Sequence, residues 1–267
     1  MSALPFDIAA ASVLGREHAR AGRNNQDALC VRASEHGLVA VVADGCGSQP
    51  CSELGAQLGA RGVAKAALAR LAAGESVDAP GFLPALRQDV LLLLSRLRED
   101  LGRETVRDFL FTLVGAVVTP ASTLVFSAGD GLWALNGEVR ALGPFPGNAP
   151  PYLAYALLGG DDVPLTQQAL VPTEDVHALL LGTDGVVDLQ QLATARMPER
   201  EECVGPLSRL WTEDRYFANP DALRRRLALL NRDSIRADFA TQCVVRTPGL
   251  LPDDTTLVVL RRRMGRA

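Results

Sequence analysis

Three aspartates stand at the boundaries of separate apolar runs, in Ala43-Asp44-Gly45, in Thr183-Asp184-Gly185 and in Asp253-Asp254 ahead of Thr255. Scattered carboxylates of this kind are what a hard divalent cation requires. Mg²⁺ and Mn²⁺ take oxygen ligands, Mg²⁺ in near-octahedral geometry with several waters retained. The glycine after Asp44 and after Asp184 lets the backbone approach, so that its carbonyl can serve as a ligand as well. Taken singly, an Asp-Gly after an apolar run is an ordinary turn. The chemistry therefore depends on whether the chain brings the three places together.

The elements that would do so are legible in the pattern. Val39 to Ala43 reads as a buried strand that stops at Asp44-Gly45. Ser52 caps a predicted helix to about Ala73, closed by Gly74, and a second helix runs from Pro84 to about Leu101. Phe109 to Val118, Thr123 to Ser127 and Leu132 to Leu135 read as an antiparallel meander, turning at Pro120-Ala121, at Gly129-Asp130-Gly131 and, after the last run, at Asn136-Gly137. The proline-rich stretch 143–151 reads as an irregular surface loop. Val176 to Leu181 is a strand ended by Asp184-Gly185, Pro220 to Asn231 a helix capped by Asn219, and Thr255 to Leu260 a last strand.

The 267 residues, 48% of them hydrophobic, suffice for a large core and are expected to form one domain, 1–267. A net charge of −4 argues against a nucleic-acid partner. The runs Arg224-Arg225-Arg226 and Arg261-Arg262-Arg263 read as a solvated helix face and a fraying terminus. Cys30, Cys46, Cys51, Cys203 and Cys243 include no C-x-x-C pair, which fits a reducing cytoplasm. No apolar run reaches the length of a membrane span, so no membrane partner is expected.

Read together, the motifs resemble the type 2C, metal-dependent Ser/Thr protein phosphatases. Asn25-Gln26-Asp27-Ala28, then Val41-Val42-Ala43-Asp44-Gly45-Cys46-Gly47-Ser48 leading to Ser52-Glu53-Leu54-Gly55-Ala56, is similar to that family's opening. Phe111-Thr112-Leu113-Val114-Gly115-Ala116, Ser127-Ala128-Gly129-Asp130-Gly131, Leu181-Gly182-Thr183-Asp184-Gly185-Val186 and Asp253-Asp254-Thr255-Thr256 continue it in order over nearly the whole chain.

The resemblance implies an α+β, four-layer α-β-β-α sandwich of two antiparallel sheets, with a site for two or more Mn²⁺ or Mg²⁺ ions at one edge. Asp44 would bridge the metals and Gly45 would donate its carbonyl. Asp184 and Asp253 would complete one metal's ligands, and Asp27 would act through a metal-bound water. The implied substrate is a protein phosphorylated on Ser or Thr, with a cognate kinase as a further partner.

The chain departs from the family's pattern at three places. Gln26 stands where Glu is commonest, keeping an oxygen but removing a charge. Gly22 stands where an arginine grips phosphate, which leaves Arg23, or Arg16 or Arg20, to substitute. Cys46 replaces the histidine that would protonate the leaving group. These departures favour a second reading, a catalytically weak phosphatase-like module that binds metal or phosphoprotein; the retained aspartates favour the enzyme.

Two other mechanisms lack their residues. A haloacid-dehalogenase-like phosphatase needs an aspartate two residues before Asp44, where Val42 stands. His18, His36 and His177 have no Gly-x-Ser-x-Gly nucleophile to serve.

Overall fold

A computed structural model describes residues 4–160, 162–240 and 242–263, without the side chains of Asn148 and Asp238. Along the chain the elements are β1 (Phe6–Val13), α1 (Arg16–Ala21), β2 (Asp27–Ala33), β3 (Leu38–Gly45), α2 (Ser52–Ala72), α3 (Phe82–Leu101), α4 (Thr105–Asp108), β4 (Phe111–Val118), β5 (Ser122–Ala128), β6 (Gly131–Leu135) and β7 (Glu138–Leu142). There follow β8 (Thr166–Pro172), β9 (Ala178–Gly182), α5 (Gly185–Gln191), α6 (Arg209–Thr212), α7 (Arg215–Ala218), α8 (Ala222–Leu230), β10 (Ser234–Asp238), β11 (Cys243–Thr247) and β12 (Thr255–Arg262).

Two five-stranded antiparallel sheets carry the fold, one in the order β1-β12-β9-β6-β7 and the other β2-β3-β4-β5-β8. Alternation along each strand assigns its side chains to two layers. In β3, Leu38, Ala40 and Val42 meet Leu179, Leu181, Val258 and Leu260 between the sheets, while Val39, Val41 and Ala43 face α2 and α3. In β12, Leu257 and Val259 face the opposite way, toward α5 to α8. The result is the expected four-layer α-β-β-α sandwich. Among the described residues no helix is long and apolar enough to cross a membrane.

The structure corrects several local expectations. The predicted meander is split: β4 and β5 pair in one sheet, but the chain crosses at Gly129-Asp130 and β6 joins the other. Positive φ at Gly129 (81°) and Gly131 (130°) permits that crossing. Ser52 does not cap α2 with its side chain; its hydroxyl accepts from Gln26 Nε2 at 2.7 Å.

The Arg261–Arg263 run is no fraying end. Arg261, in β12, pairs with Asp214 at 2.7 Å and lies 4.0 Å from the centroid of the Phe217 ring. In the other basic run, Arg224 and Arg225 are solvated as expected, but Arg226 is buried against Glu202 at 2.9 Å and the Val204 carbonyl.

Helix α2 presents mostly Ala and Gly to its sheet, so it packs very close. A Cβ on Gly55 would fall 2.3 Å from the Asp108 carbonyl oxygen, a backbone atom that cannot step aside. A Cβ on Gly62 would meet only the flexible end of Leu93. Gly55→Ala should therefore cost about 1–3 kcal/mol despite its better helix propensity. Gly62→Ala should be near neutral. Thermal unfolding of both variants checks the contrast, and equal melting temperatures would contradict this account of the packing.

Candidate metal centre

Asp27 opens β2 and Asp44 lies near the end of β3, and the two are direct cross-strand partners. Both sit at positions whose side chains point between the sheets, in register with Leu29 and Val42 of the apolar layer. The site thus begins where the inter-sheet core ends. Facing carboxylates on one ladder repel each other, and the backbone pairing of β2 with β3 keeps them opposite.

The other sheet supplies the rest. Thr183 follows β9; its hydroxyl donates to Asp27 Oδ2 at 2.8 Å and accepts the Thr256 amide at 3.1 Å, tying the sheets together beside the site. Asp184 follows at the mouth of α5, with Asp188 one turn further on. Asp130 enters from the β5–β6 crossing and Asp253 from the approach to β12. Sequence reasoning missed Asp130 and Asp188 as members of the site.

Electrostatics show how crowded the group is. Asp27 is buried, and desolvation first, then the charges of Asp254 and Asp184, holds its carboxyl well above the ordinary range. Asp44 is raised likewise, by burial and then by Asp27, Asp184, Asp253 and Asp130. Asp184 is pushed up to about 7 by burial, Asp253 and Asp130. Burial raises Asp130 and Asp188 too.

Among the described residues no Lys or Arg pairs with Asp27, Asp44, Asp130 or Asp184. Asp27 Oδ1 and Asp130 Oδ1 are buried without a hydrogen-bond partner. An all-oxygen set with orphaned acceptors and no side-chain counter-charge fits divalent cations.

Asp254 has a different role from its neighbour. Its two oxygens accept the backbone amides of Gly15 and Gln26, each at 2.6 Å, and His18 Nδ1 lies 2.9 Å from Oδ2. His18, Asp253 and Asp254 are the one trio among the described residues whose candidate ligand atoms all lie within 4.8 Å of one another. Because both Asp254 oxygens are already committed to buried amides, we assign Asp254, with His18 against it, to structure and leave Asp253 with the other aspartates. Among the described residues the other aspartates form no trio of that spacing.

Of the remaining expected residues, Gly45 is buried at the end of β3, its amide donating to the Gln26 carbonyl at 3.1 Å. Cys46 turns away from it, its amide on the Leu110 carbonyl at 2.9 Å and its sulfur 3.2 Å from Ser48 Oγ. The buried Tyr152 lies beside that thiol; burial first, and then the thiol, raises its phenol. Arg23 is exposed and donates to the Gly47 carbonyl, which sets it over the loop that follows Asp44. Arg16 and Arg20 are instead engaged with Glu17, and Arg16 also with the Gly249 carbonyl. Gln26 Nε2 donates to the Gln49 carbonyl and to Ser52 Oγ, leaving Oε1 buried without a partner.

The chain matches the model of the protein phosphatase 2C family over residues 14–227, and it belongs to that family. No curated protein sequence matches it. Among solved structures it is similar to a bacterial serine phosphatase, with 13% identity, a TM-score of 0.55 and coverage of 98% of this chain and 100% of that one. The catalytic domain of the Ser/Thr phosphatase PstP, solved with two manganese ions, is 19% identical with a TM-score of 0.51, covering 96% and 97%. PppA, a regulatory component of the T6SS in Pseudomonas aeruginosa, is 18% identical with a TM-score of 0.53, covering 96% and 97%. At these identities the likeness concerns the fold.

The raised carboxyl of Asp184 has a consequence for stability. Its proton is held more tightly in the folded state than at the ordinary value of 3.8, so its contribution is full below about pH 4 and is lost as pH rises through about 7. Metal-free Asp184→Asn should therefore gain melting temperature over wild type, and the gain should grow from pH 5 to pH 8, to at most about 4 kcal/mol. Melting curves in EDTA across that range give the difference, and a gain that shrank with rising pH would refute the repulsion.

Proposed function

We propose that this chain is a metal-dependent phosphoprotein phosphatase that hydrolyses phosphoserine and phosphothreonine monoesters, with a protein kinase as its counterpart. The observation that carries the reading is the convergence of Asp27, Asp44, Asp130, Asp184 and Asp253 from both sheets, with orphaned oxygens and no cationic side chain between them. Asp44, the Gly45 carbonyl, Asp184 and Asp253 would hold two divalent cations, Mn²⁺ or Mg²⁺, and Asp130 and Asp188 add negative charge beside them. What two such cations supply when bound is an activated water nucleophile and neutralisation of the charge that develops on the phosphoryl group.

The chain's own residues do the rest. Asp27, fixed through Thr183, keeps Oδ1 free to orient a water by accepting its hydrogen bond. Arg23 stands at the rim, where a guanidinium can pair with a phosphate oxygen. No imidazole is placed to protonate the departing oxygen; Cys46, a weak donor, occupies that position beside Tyr152.

The weaker, regulatory reading draws on Gln26. Its amide has been taken up by the α2 junction, so the site has one acid fewer than the family's usual pattern.

Hydrolysis of an aryl phosphate should require Mn²⁺ or Mg²⁺, stop in EDTA, and fall by at least 100-fold in Asp44→Asn. Full activity in chelator would end the proposal, and Mn²⁺-dependent binding of phosphopeptide without turnover would select the regulatory module.

Cys46→His should raise phosphoserine-peptide turnover more than aryl phosphate turnover, because an alkoxide needs the proton and a phenolate leaves unaided. The check is the ratio of the two rates in wild type and variant at matched metal. An unchanged ratio would make Cys46 a spectator.

A further inference from the structure

Beside the carboxylates lies a cavity of about 400 Å³, within the size range of small-ligand pockets, roughly 300–1,000 Å³. Its walls are largely apolar, with Ala128, Leu142, Phe145, Pro151 and Val163 among them. It adjoins the candidate metal centre through the chain itself. Gly129 lines the cavity and precedes Asp130. A Cβ on Gly143, another lining residue, would lie 3.5 Å from both Asp130 Cβ and Phe145 Cδ2. A Cβ on Gly129 would lie 3.2 Å from the Pro151 carbonyl oxygen, so the proline-rich loop lies directly over the β5–β6 crossing.

We infer that this cavity receives an apolar side chain of the substrate protein, one or two residues from the phosphorylated one, and that Phe145 and Thr166 help set that preference. The inference rests on the phosphatase reading for the position of the phosphate. Consecutive Cα atoms are 3.8 Å apart, and with Gly129 and Gly143 in the cavity wall beside Asp130, a residue one or two positions from a phosphate held at the aspartates is within reach of the cavity.

The charge at the cavity selects against an acidic neighbour. The charged group in its wall is Asp162, whose carboxylate pairs with Arg87 while remaining exposed. Among the described residues the cavity's lining includes no Lys or Arg to receive a carboxylate. Its polar walls, Ser127 and Gln168, bond to each other at 2.9 Å and so make little demand on a ligand. An uncharged, apolar side chain is the occupant that leaves no group unpaired.

The test is binding, which does not depend on turnover. Fluorescein-labelled peptides carry a non-hydrolysable phosphonate in place of phosphoserine, with Leu, Gly or Glu at the flanking positions. Their affinity for the full chain is read by anisotropy at fixed Mn²⁺. The Leu peptide should bind about tenfold more tightly than the Gly peptide, and the Glu peptide more weakly than either.

Thr166→Trp, at an exposed position of the edge strand β8, should fill the cavity and reduce the Leu-to-Gly ratio to below twofold. Phe145→Ala, which removes a wall, should lower the same ratio by a second route and serves if the first variant fails to fold. Equal affinities, no binding by any peptide, or a ratio untouched by both substitutions overturns the inference. Turnover of the matching phosphoserine peptides is measured beside it. A Leu preference without turnover would keep the pocket while removing the enzymatic reading.

Discussion

The structure is organised around a repulsion. Asp27, Asp44, Asp130 and Asp184 stand at one end of an apolar layer with the exposed Asp253 beside them, and burial makes each of the first four more costly to ionise in the presence of the others. Among the described residues no Lys or Arg pairs with any of these four, so the scaffold must hold the group in place. It does so with the least yielding parts it has: the ladder that fixes Asp27 opposite Asp44, the Thr183 bridge between the sheets, and an inter-sheet core of Val, Leu and Ala. A group held this way cannot relieve its repulsion by movement without breaking backbone pairing.

Asp253 and Asp254 show how one residue of offset changes a carboxylate's role. Asp254 is buried and its oxygens are taken by the amides of Gly15 and Gln26, so its charge is met by oriented N–H dipoles. Asp253 is exposed and contributes repulsion to Asp44, Asp184 and Asp188. The first fastens the β1–α1 junction and the start of β2 to the start of β12; the second is available to a metal. The short distances around Asp254 locate a fastening.

How much of this could be read beforehand follows from the range of each signal. The apolar run at Val39–Ala43 and the Asp-Gly after it are local, and β3 formed there with Asp44 near its end. Asp184 and Asp253 were legible for the same reason. Asp130 was not, because Gly129-Asp130-Gly131 looks like any tight turn within a meander, and only tertiary pairing sends β6 to the other sheet. The edge strands β1 and β8 and the exposed hairpin of β10 and β11 lacked a clear apolar pattern, since partners or solvent rather than a buried face define them. Arg226 went unseen because its buried pairing with Glu202 depends on a chain reversal that no local pattern announces.

The β5–β6 crossing has a consequence beyond the metal centre. A chain that changes sheets leaves the layer at the point where it turns, and the gap must be covered by whatever follows. Here the cover is the loop from Gly143 to Pro151, rich in proline and low in side-chain polarity, which lies against Gly129 and carries Tyr152 on to Cys46. The turn that places Asp130 among the site's aspartates therefore also forms part of the wall of the apolar recess. Charge and shape enter the site from one backbone feature, with carboxylates on one side of the crossing and an apolar recess on the other. The aspartate group and the recess are thus joined through Gly129 and Asp130. A substitution that shifts the crossing would disturb both at once, whereas one confined to the loop reaches only the second.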